Sequence, residues 1–291
     1  MCNIAGVVVI YNPEDRQEVE KNILSYLPHL GRLFMVDNSN QPAMDTMIFE
    51  DKGYTNIHYI TNNANRGIAA ALNQGAKAAS DEQYQWLLTM DQDSFFQEPD
   101  ITHYMEQVRS VLCNDTSVGI ISPNHSRQIN VPAFKEDVHA VTSGCIIQLN
   151  AWRQTGGFDE RLFIDEVDAD YNFKNSMAGY RMVQCSQVML QHKLGEKKRT
   201  GLFNLFFVKE RTIHNPLRIY YMVRNYKYIR KRYRKYFPEI YEWRDKEFLA
   251  DLKNNLFFSG NFMKGTFYAV KGWMDYLNNK FYSISGKDNI S

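Results

Sequence analysis

Cysteine is scarce and scattered. The four thiols, Cys2, Cys113, Cys145 and Cys185, form no Cys-x-x-Cys pair and no Cys/His ligand spacing. That excludes a zinc finger or a disulfide framework and leaves reduced cytosolic thiols as the expectation. Net charge is nearly absent as well: a formal +1 over 291 residues excludes a chain that acts as a polyelectrolyte. No apolar run approaches the ~18 residues that mark a membrane span. The first residues pass straight into a strand-like segment, without a basic n-region or a small-residue cleavage site. The expectation is a cytoplasmic protein, neither secreted by a signal peptide nor membrane-spanning. Repeats and low-complexity linkers are missing too. What is present, 44% hydrophobic and 14% aromatic residues, is enough for a sizeable core in one large domain or one domain with an appendage.

The chain opens with Ile4 to Ile10, a continuous β-branched run of the kind covered on both faces in a parallel sheet. Tyr11-Asn12-Pro13 closes it. Val19, Ile23, Leu24, Leu27 and Leu30 then recur at helical spacing, which predicts a helix over 14–30. Leu33 to Val36 predicts a second strand ending in Asp37-Asn38-Ser39, and Asn56 to Ile60 a third. Asn65 to Gly75 reads as an alanine-rich helix entered through the Gly67 turn. Strand and helix alternate as in the first half of a doubly wound nucleotide-binding fold.

A fourth strand organises the rest. Trp86-Leu87-Leu88-Thr89-Met90 is a buried-strand run that ends in Asp91-Gln92-Asp93. Ligands of open α/β sheets sit beyond the carboxyl ends of the strands. A bend there would let one carboxylate face a ligand and the other a metal, and hard oxygen ligands suit Mg²⁺ or Mn²⁺ shared with phosphates. A solvated acidic turn capping the next helix has the same pattern. Further on, a helix is expected over 99–112, a strand over 118–122, a polar loop over 126–137 and a turn at Gly156-Gly157. The acidic cluster Asp165-Glu166-Val167-Asp168-Ala169-Asp170 feeds another helix, whose N-terminus favours negative charge in any case. Val188 to His192 reads as a last strand with a histidine at its exit.

These strand ends can be read as one site. Asp37 would meet ribose hydroxyls or a base N–H, Asp91 the nucleoside or its diphosphate, and Asp93 a divalent cation that neutralises a departing diphosphate. A carboxylate from the 165–170 cluster could take a proton from an incoming hydroxyl. His192 would complete the cation's shell, bond a phosphate, or be structural. Lys193, Lys197, Lys198 and Arg199 could fold over the diphosphate as a lid or form a solvated loop. Beyond Gly201 the chain turns aromatic and basic. Lys227, Arg230, Lys231, Arg232, Arg234 and Lys235 come without an intervening acid, interleaved with Tyr226, Tyr228, Tyr233 and Tyr236. An anionic membrane surface or a phosphate-bearing substrate fits this run, as does a solvated face. Nucleic acid is disfavoured because no recognition module accompanies it.

Together these stretches resemble the family 2 glycosyltransferases of the GT-A fold, and within them the rhamnosyltransferase-like branch. The residues that carry the resemblance are Val9 to Pro13, Val36 to Ser39, Asn65 to Asn73, Asp91 to Ser94, Gly156 to Asp159, Phe163 to Asp165 with Val167-Asp168, His192 to Gly195 and Tyr220 to Asn225. The resemblance implies an α/β, mostly parallel sheet flanked by helices over about residues 1–200, with a helical appendage over 201–291. It implies transfer of a sugar with inversion from a nucleoside diphosphate donor, dTDP-rhamnose or a UDP-hexose, to an acceptor hydroxyl. The acceptor would be a saccharide, lipid-linked or not, in bacterial surface polysaccharide synthesis. Mg²⁺ or Mn²⁺ would serve as cofactor, held by Asp93 and His192. Tyr11, Asn12, Asp37, Asn38, Asn65, Gly67 and Asp91 would bind the donor, and Asp168 would be the catalytic base. The branch's usual Asp-Tyr-Val-Asp is here Asp165-Glu166-Val167-Asp168, and Phe173-Lys174 replaces Leu-Arg, which leaves donor and acceptor preference open. Nucleotidyltransferases also use strand-end carboxylates, but they carry a Gly-rich phosphate loop near the N-terminus, where Gly6 here stands alone. A non-catalytic sugar-nucleotide-binding protein would not need both Asp93 and Asp168.

Overall fold

The computed structural model describes residues 3–124, 132–136, 139–192, 197–202 and 206–281. Its first strand, β1 (Ile4–Ile10), is buried at every position. Asp15 caps α1 (Arg16–Leu24) by accepting the Gln17 and Glu18 amides. The apolar period runs on to Leu30, but Pro28 cannot continue an α-helix, so Leu27–His29 form a separate 3-10 turn. Then follow β2 (Arg32–Asp37), the short α2 (Met47–Glu50), β3 (Ile57–Thr61), α3 (Ile68–Asp81) and β4 (Trp86–Asp91). These four strands lie in the order β3-β2-β1-β4, all parallel.

The second half is mixed. It comprises β5 (Ser94–Phe96), α4 (Asp100–Asn114), β6 (Val118–Asn124), β7 (Phe134–Glu136), β8 (Ile146–Gln148), α5 (Leu149–Thr155), α6 (Val167–Met177) and β9 (Arg181–His192). β8 runs antiparallel to both β4 and β6, and β9 runs parallel to β6. β5 and β7 pair antiparallel with β9. Among the described residues this makes one sheet of nine strands. Its core contains Val8, Ile10, Met35, Leu88, Met90 and Ile121. β7 falls inside the segment expected as a polar loop. Cys2 and loop residues 126–131 and 137 lie outside the described residues. Cys145 and Cys185 are buried and form no disulfide.

The chain divides into two compact units, Met1–Glu160 with Val167–His192, and Arg161–Glu166 with Lys193–Ser291. The second contains the antiparallel hairpin of β10 (Lys197–Leu202) and β11 (Phe206–Thr212), followed by α7 (Pro216–Tyr233), α8 (Pro238–Phe257) and α9 (Phe262–Leu277). Of the expected lid, 197–199 belong to β10. Lys193 and the side chains of Lys197, Lys198 and Arg199 lie outside the described residues.

The six residues 161–166 are held inside the second unit. Phe163, Asp165 and Glu166 all take left-handed backbone angles, φ 64°, 60° and 65°, which side chains other than glycine adopt only when their surroundings impose it. Phe163 packs with Leu217, Tyr220 and Tyr221 of α7. The Asn225 amide donates to the carbonyls of Leu162 at 2.6 Å, Ile164 at 2.6 Å and Asp165 at 3.2 Å. Arg224 donates to the Arg161 carbonyl at 2.9 Å. Arg218 pairs with Asp165 at 2.8 Å and Arg244 with Glu166 at 2.5 Å. Arg224 and Asn225 have no exposed surface, so these bonds stand in a water-poor interior where a missing donor is costly. The Tyr220 to Asn225 stretch is therefore a clamp on this segment. Asn225→Ala should lower stability by about 1–3 kcal/mol, the cost of buried groups left unpaired. An unchanged urea midpoint would show that the clamp contributes nothing.

Candidate active site

Register brings the carboxyl ends of three parallel strands level: Ile10 of β1 stands opposite Asp37 of β2, and Val9 opposite Asp91 of β4. Gln92 turns away from its two acidic neighbours. Its side chain accepts the Tyr11 amide at 2.9 Å and donates to the Tyr11 carbonyl at 3.1 Å, prolonging the ladder between β1 and β4 by a side chain. With Gln92 anchored there, Asp91 and Asp93 both reach the point where β9 ends in His192. One ligand atom from each of Asp91, Asp93 and His192 lies within 4.8 Å of the other two. The bend thus brings both carboxylates to one place.

Hydroxyl groups orient this cluster. Ser94 Oγ and His192 Nδ1 share a hydrogen bond of 2.5 Å, and Ser143 donates to Ser94 Oγ at 2.8 Å while accepting the Asp91 amide at 3.2 Å. For Nε2 of His192 to ligate a metal, Nδ1 must carry the proton and donate to Ser94. Asp93 Oδ1 is buried without a hydrogen-bond partner, 3.5 Å from His192 Nδ1. An orphaned carboxylate oxygen amid a His/Asp/Asp set is the donor arrangement that Mg²⁺ or Mn²⁺ would satisfy. Burial, then the Asp93 and Asp168 carboxylates, pushes the Asp91 carboxyl up to about 7.

The three acids of the 165–170 cluster have different fates. Asp165 precedes α6 and is paired with Arg218, so it shares no helical face with Asp168. Asp170 is completely buried with Lys174 Nζ at 2.9 Å. Asp168, in the first turn of α6 and half-buried, accepts the Thr142 hydroxyl and is near enough to Asp91 to raise its pKa. Thr142 and Ser143 belong to a loop fastened to β4: the Thr89 hydroxyl donates to the Thr142 carbonyl at 2.5 Å, and Gly144 N–H to the Thr89 carbonyl at 2.7 Å. Gly144 has φ +82°, and a Cβ there would approach Pro123 Cγ to 2.8 Å, so only glycine fits. Sequence reasoning missed Ser94, Thr142 and Ser143 as parts of the site. The signal for Thr142 and Ser143 was a Thr-Ser-Gly triplet just before the apolar run of β8, and that for Ser94 its place directly after Asp91-Gln92-Asp93.

On the other side of β1, a cavity of about 430 Å³ is lined by Asn12, Pro13, Arg16 and the loop Ser39–Ala43. Asp37 lies behind its wall. It has no exposed surface, and its carboxylate accepts the Ser39 amide at 2.7 Å, the Ala43 amide at 2.7 Å and the Tyr59 hydroxyl. It therefore reaches the cavity through the loop it shapes. Burial, reinforced by that bond, pushes the Tyr59 phenol up to about 12. Asn12 donates its amide to Ser39 Oγ at 2.8 Å. Asn38 is buried and donates to the Gly67 carbonyl at 3.0 Å, and Asn65 accepts the Gly67 amide at 2.9 Å. These two asparagines hold the α3 turn, where Gly67 has φ 84°. Asn73 likewise holds a turn, bonding both the amide and the carbonyl of Phe158 at 2.9 Å. Arg16, an exposed cation on the cavity rim, was not anticipated.

Residues 7–130 match the family described as Glycosyl transferase family 2. Over 254 residues the chain is 27% identical to dTDP-rhamnosyl transferase RfbF of Shigella flexneri, a match covering 77% of this chain and 78% of that protein. GalNAc-T7, solved with UDP, GalNAc and Mn²⁺, shares the fold with a TM-score of 0.53 at 12% identity, over 66% of this chain and 44% of that one. The mannosyltransferase PcManGT from Pyrobaculum calidifontis, solved with GDP-Man and Mn²⁺, does so with a TM-score of 0.50 at 17% identity, over 65% and 56%. The chain thus spans about half the length of these solved chains, and at such identities the likeness is one of fold.

If Asp91, Asp93 and His192 form a cation site, Mn²⁺ titration calorimetry should detect binding that Asp93→Ala abolishes. Ser94→Ala, which removes the hydroxyl that orients the histidine and accepts from Ser143, should weaken binding by about 10–100-fold with the fold intact. Wild-type affinity in both variants would refute the site.

Proposed function

We propose that this chain, a family 2 glycosyltransferase-like protein of the GT-A fold, transfers a sugar from a nucleoside diphosphate donor to an acceptor hydroxyl with inversion, and that the donor is dTDP-rhamnose. The observation that carries this reading is the meeting of Asp91, Asp93 and His192 at the sheet edge with Asp168 beside them. The rhamnosyl donor is supported by the extent of the likeness to the Shigella flexneri protein. As acceptor we assign a saccharide of a bacterial surface polysaccharide, lipid-linked at an anionic membrane face.

In this reading the nucleoside occupies the cavity between the β1 and β2 exits, where the Ser39–Ala43 loop is stiffened from behind by Asp37. Arg16 offers a positive charge at its rim. A divalent cation held by Asp91, Asp93 and His192 supplies neutralisation of the negative charge that develops on the departing diphosphate. Asp168 removes the proton from the acceptor hydroxyl as the new carbon–oxygen bond forms on the sugar face opposite that leaving group. The Thr142 hydroxyl orients its carboxylate. Asp165 and Asp170 are unsuited to that task, since each is committed to a cation of its own.

Asp168→Asn should reduce sugar transfer by about 10²–10⁴-fold, the usual contribution of positioned proton transfer, while Mn²⁺-dependent nucleotide binding persists. Near-normal transfer in Asp168→Asn together with loss in Asp165→Asn would move the base to the other side of the helix start. Thermal-shift measurements against dTDP-, UDP- and GDP-linked sugars with Mn²⁺ should select the dTDP pair. Selection of a UDP-hexose would overturn the donor assignment.

A further inference from the structure

The second unit exposes an apolar helix face that the transfer reading does not use. On α9, Met263 is 81% exposed, Phe267 63%, Met274 54% and Leu277 63%, with Phe262, Val270 and Trp273 also exposed. At 100° per residue these seven positions fall within an arc of about 140°, one continuous stripe. The opposite face is packed. Gly272 lies so close to α7 that a Cβ would come within 2.4 Å of the Tyr220 carbonyl oxygen, and buried Asp275 accepts the Tyr220 hydroxyl at 3.0 Å. α9 is therefore fixed to α7 by one side and presents large apolar side chains on the other. Phe257, at the end of α8, extends the stripe by its ring contact with Phe262 at 5.3 Å.

Charge says what covers it. Between Phe262 and Lys280 the sole acid is the buried Asp275, whereas Lys264 and Lys280 are exposed. Phe281 packs on Tyr228 at 4.9 Å, which brings the α7 cations following Tyr228 to the C-terminal end of α9. There Lys231, Arg232, Arg234 and Lys235 are all exposed. The basic run itself is smaller than its sequence suggests: Arg230 pairs with Asp245 at 2.6 Å, and Tyr226 and Tyr233 are buried. A two-fold pairing of α9 with a second copy would lay Lys264 against the lysine end of its partner, like charge on like. An anionic lipid surface opposes no such charge, takes aromatic and aliphatic side chains into its interface, and attracts each cation beside it. Among the described residues no helix is long and apolar enough to cross a membrane.

We propose that α9 lies in the interface of an anionic bilayer, its Met263–Leu277 stripe inserted and the Lys231–Lys235 cations on the headgroups. This deepens the membrane part of the function proposed above and stands apart from its chemistry. Co-sedimentation with phosphatidylglycerol/phosphatidylcholine vesicles tests it. Wild-type protein should bind, more weakly as salt rises, and the double substitution Met263→Glu with Phe267→Glu should lower partitioning at least tenfold. Both side chains are exposed, so thermal stability and Mn²⁺-dependent nucleotide binding should be unchanged in that variant. Absence of wild-type binding, or equal binding by the variant, would overturn the proposal. So would a stable wild-type dimer, seen by sedimentation equilibrium, that the same substitutions dissolve, because the stripe would then belong to a second copy of the chain.

Discussion

Mutual repulsion of carboxylates is the constraint around which the first unit is arranged. Burial first, and then the nearby Asp93 and Asp168 carboxylates, raise the Asp91 carboxyl to about 7. Asp165 and Asp170 are paired with Arg218 and Lys174. Hydrogen bonds hold the cluster of Asp91, Asp93 and Asp168 in place. Gln92 pins the bend from below, Ser143 holds the Asp91 amide, Ser94 holds the histidine and Thr142 holds Asp168. Each of these contacts fixes direction without neutralising charge. Such an arrangement becomes favourable when a divalent cation enters it, because attraction between ligand and metal replaces repulsion among ligands.

How much of this was legible follows from where the information sits along the chain. The parallel half could be read because its signals are local: a β-branched run, a helical period, a strand stopped by Asp-x-Asp. The helix expected over 14–30 starts at Arg16, after its Asp15 cap, and stops at Leu24, ahead of Pro28, which interrupts a period that continues in sequence but not in backbone. Antiparallel β5 and β7 have three residues each, too few to show alternation, and they exist because β9 supplies an edge to both. Such strands are specified by their partner and leave little trace in their own residues.

The acids 165, 168 and 170 show the same limit within the site. In sequence they are equivalent members of a cluster ahead of a helix. What distinguishes them lies elsewhere: Arg218 is 53 positions from Asp165, and Thr142 is 26 from Asp168. Asp37 erred in the other direction. It sits where a ligand-binding carboxylate belongs in a sheet of this type, yet its partners Ser39, Ala43 and Tyr59 leave it no exposed surface. Position beyond a strand says which loop Asp37 lies against, and not which groups its carboxylate accepts from.

A similar division of labour runs through the asparagines and the basic C-terminal motif. Asn38, Asn65 and Asn73 each satisfy backbone groups of turns that no regular ladder would reach, and Asn225 does so for the carbonyls of Leu162, Ile164 and Asp165. An amide suits this purpose because it carries donors and an acceptor without charge, so it can be buried where a carboxylate or ammonium would need a counterion. Charged side chains outside the motif pair with acids of the same segment, Arg218 with Asp165 and Arg244 with Glu166, while Arg224 donates to the Arg161 carbonyl. Residues 161–166 keep three left-handed angles only because both kinds of contact act on them at once. A residue as distant in sequence as Asn225 therefore belongs to the physical description of segment 161–166, whose carbonyls it holds.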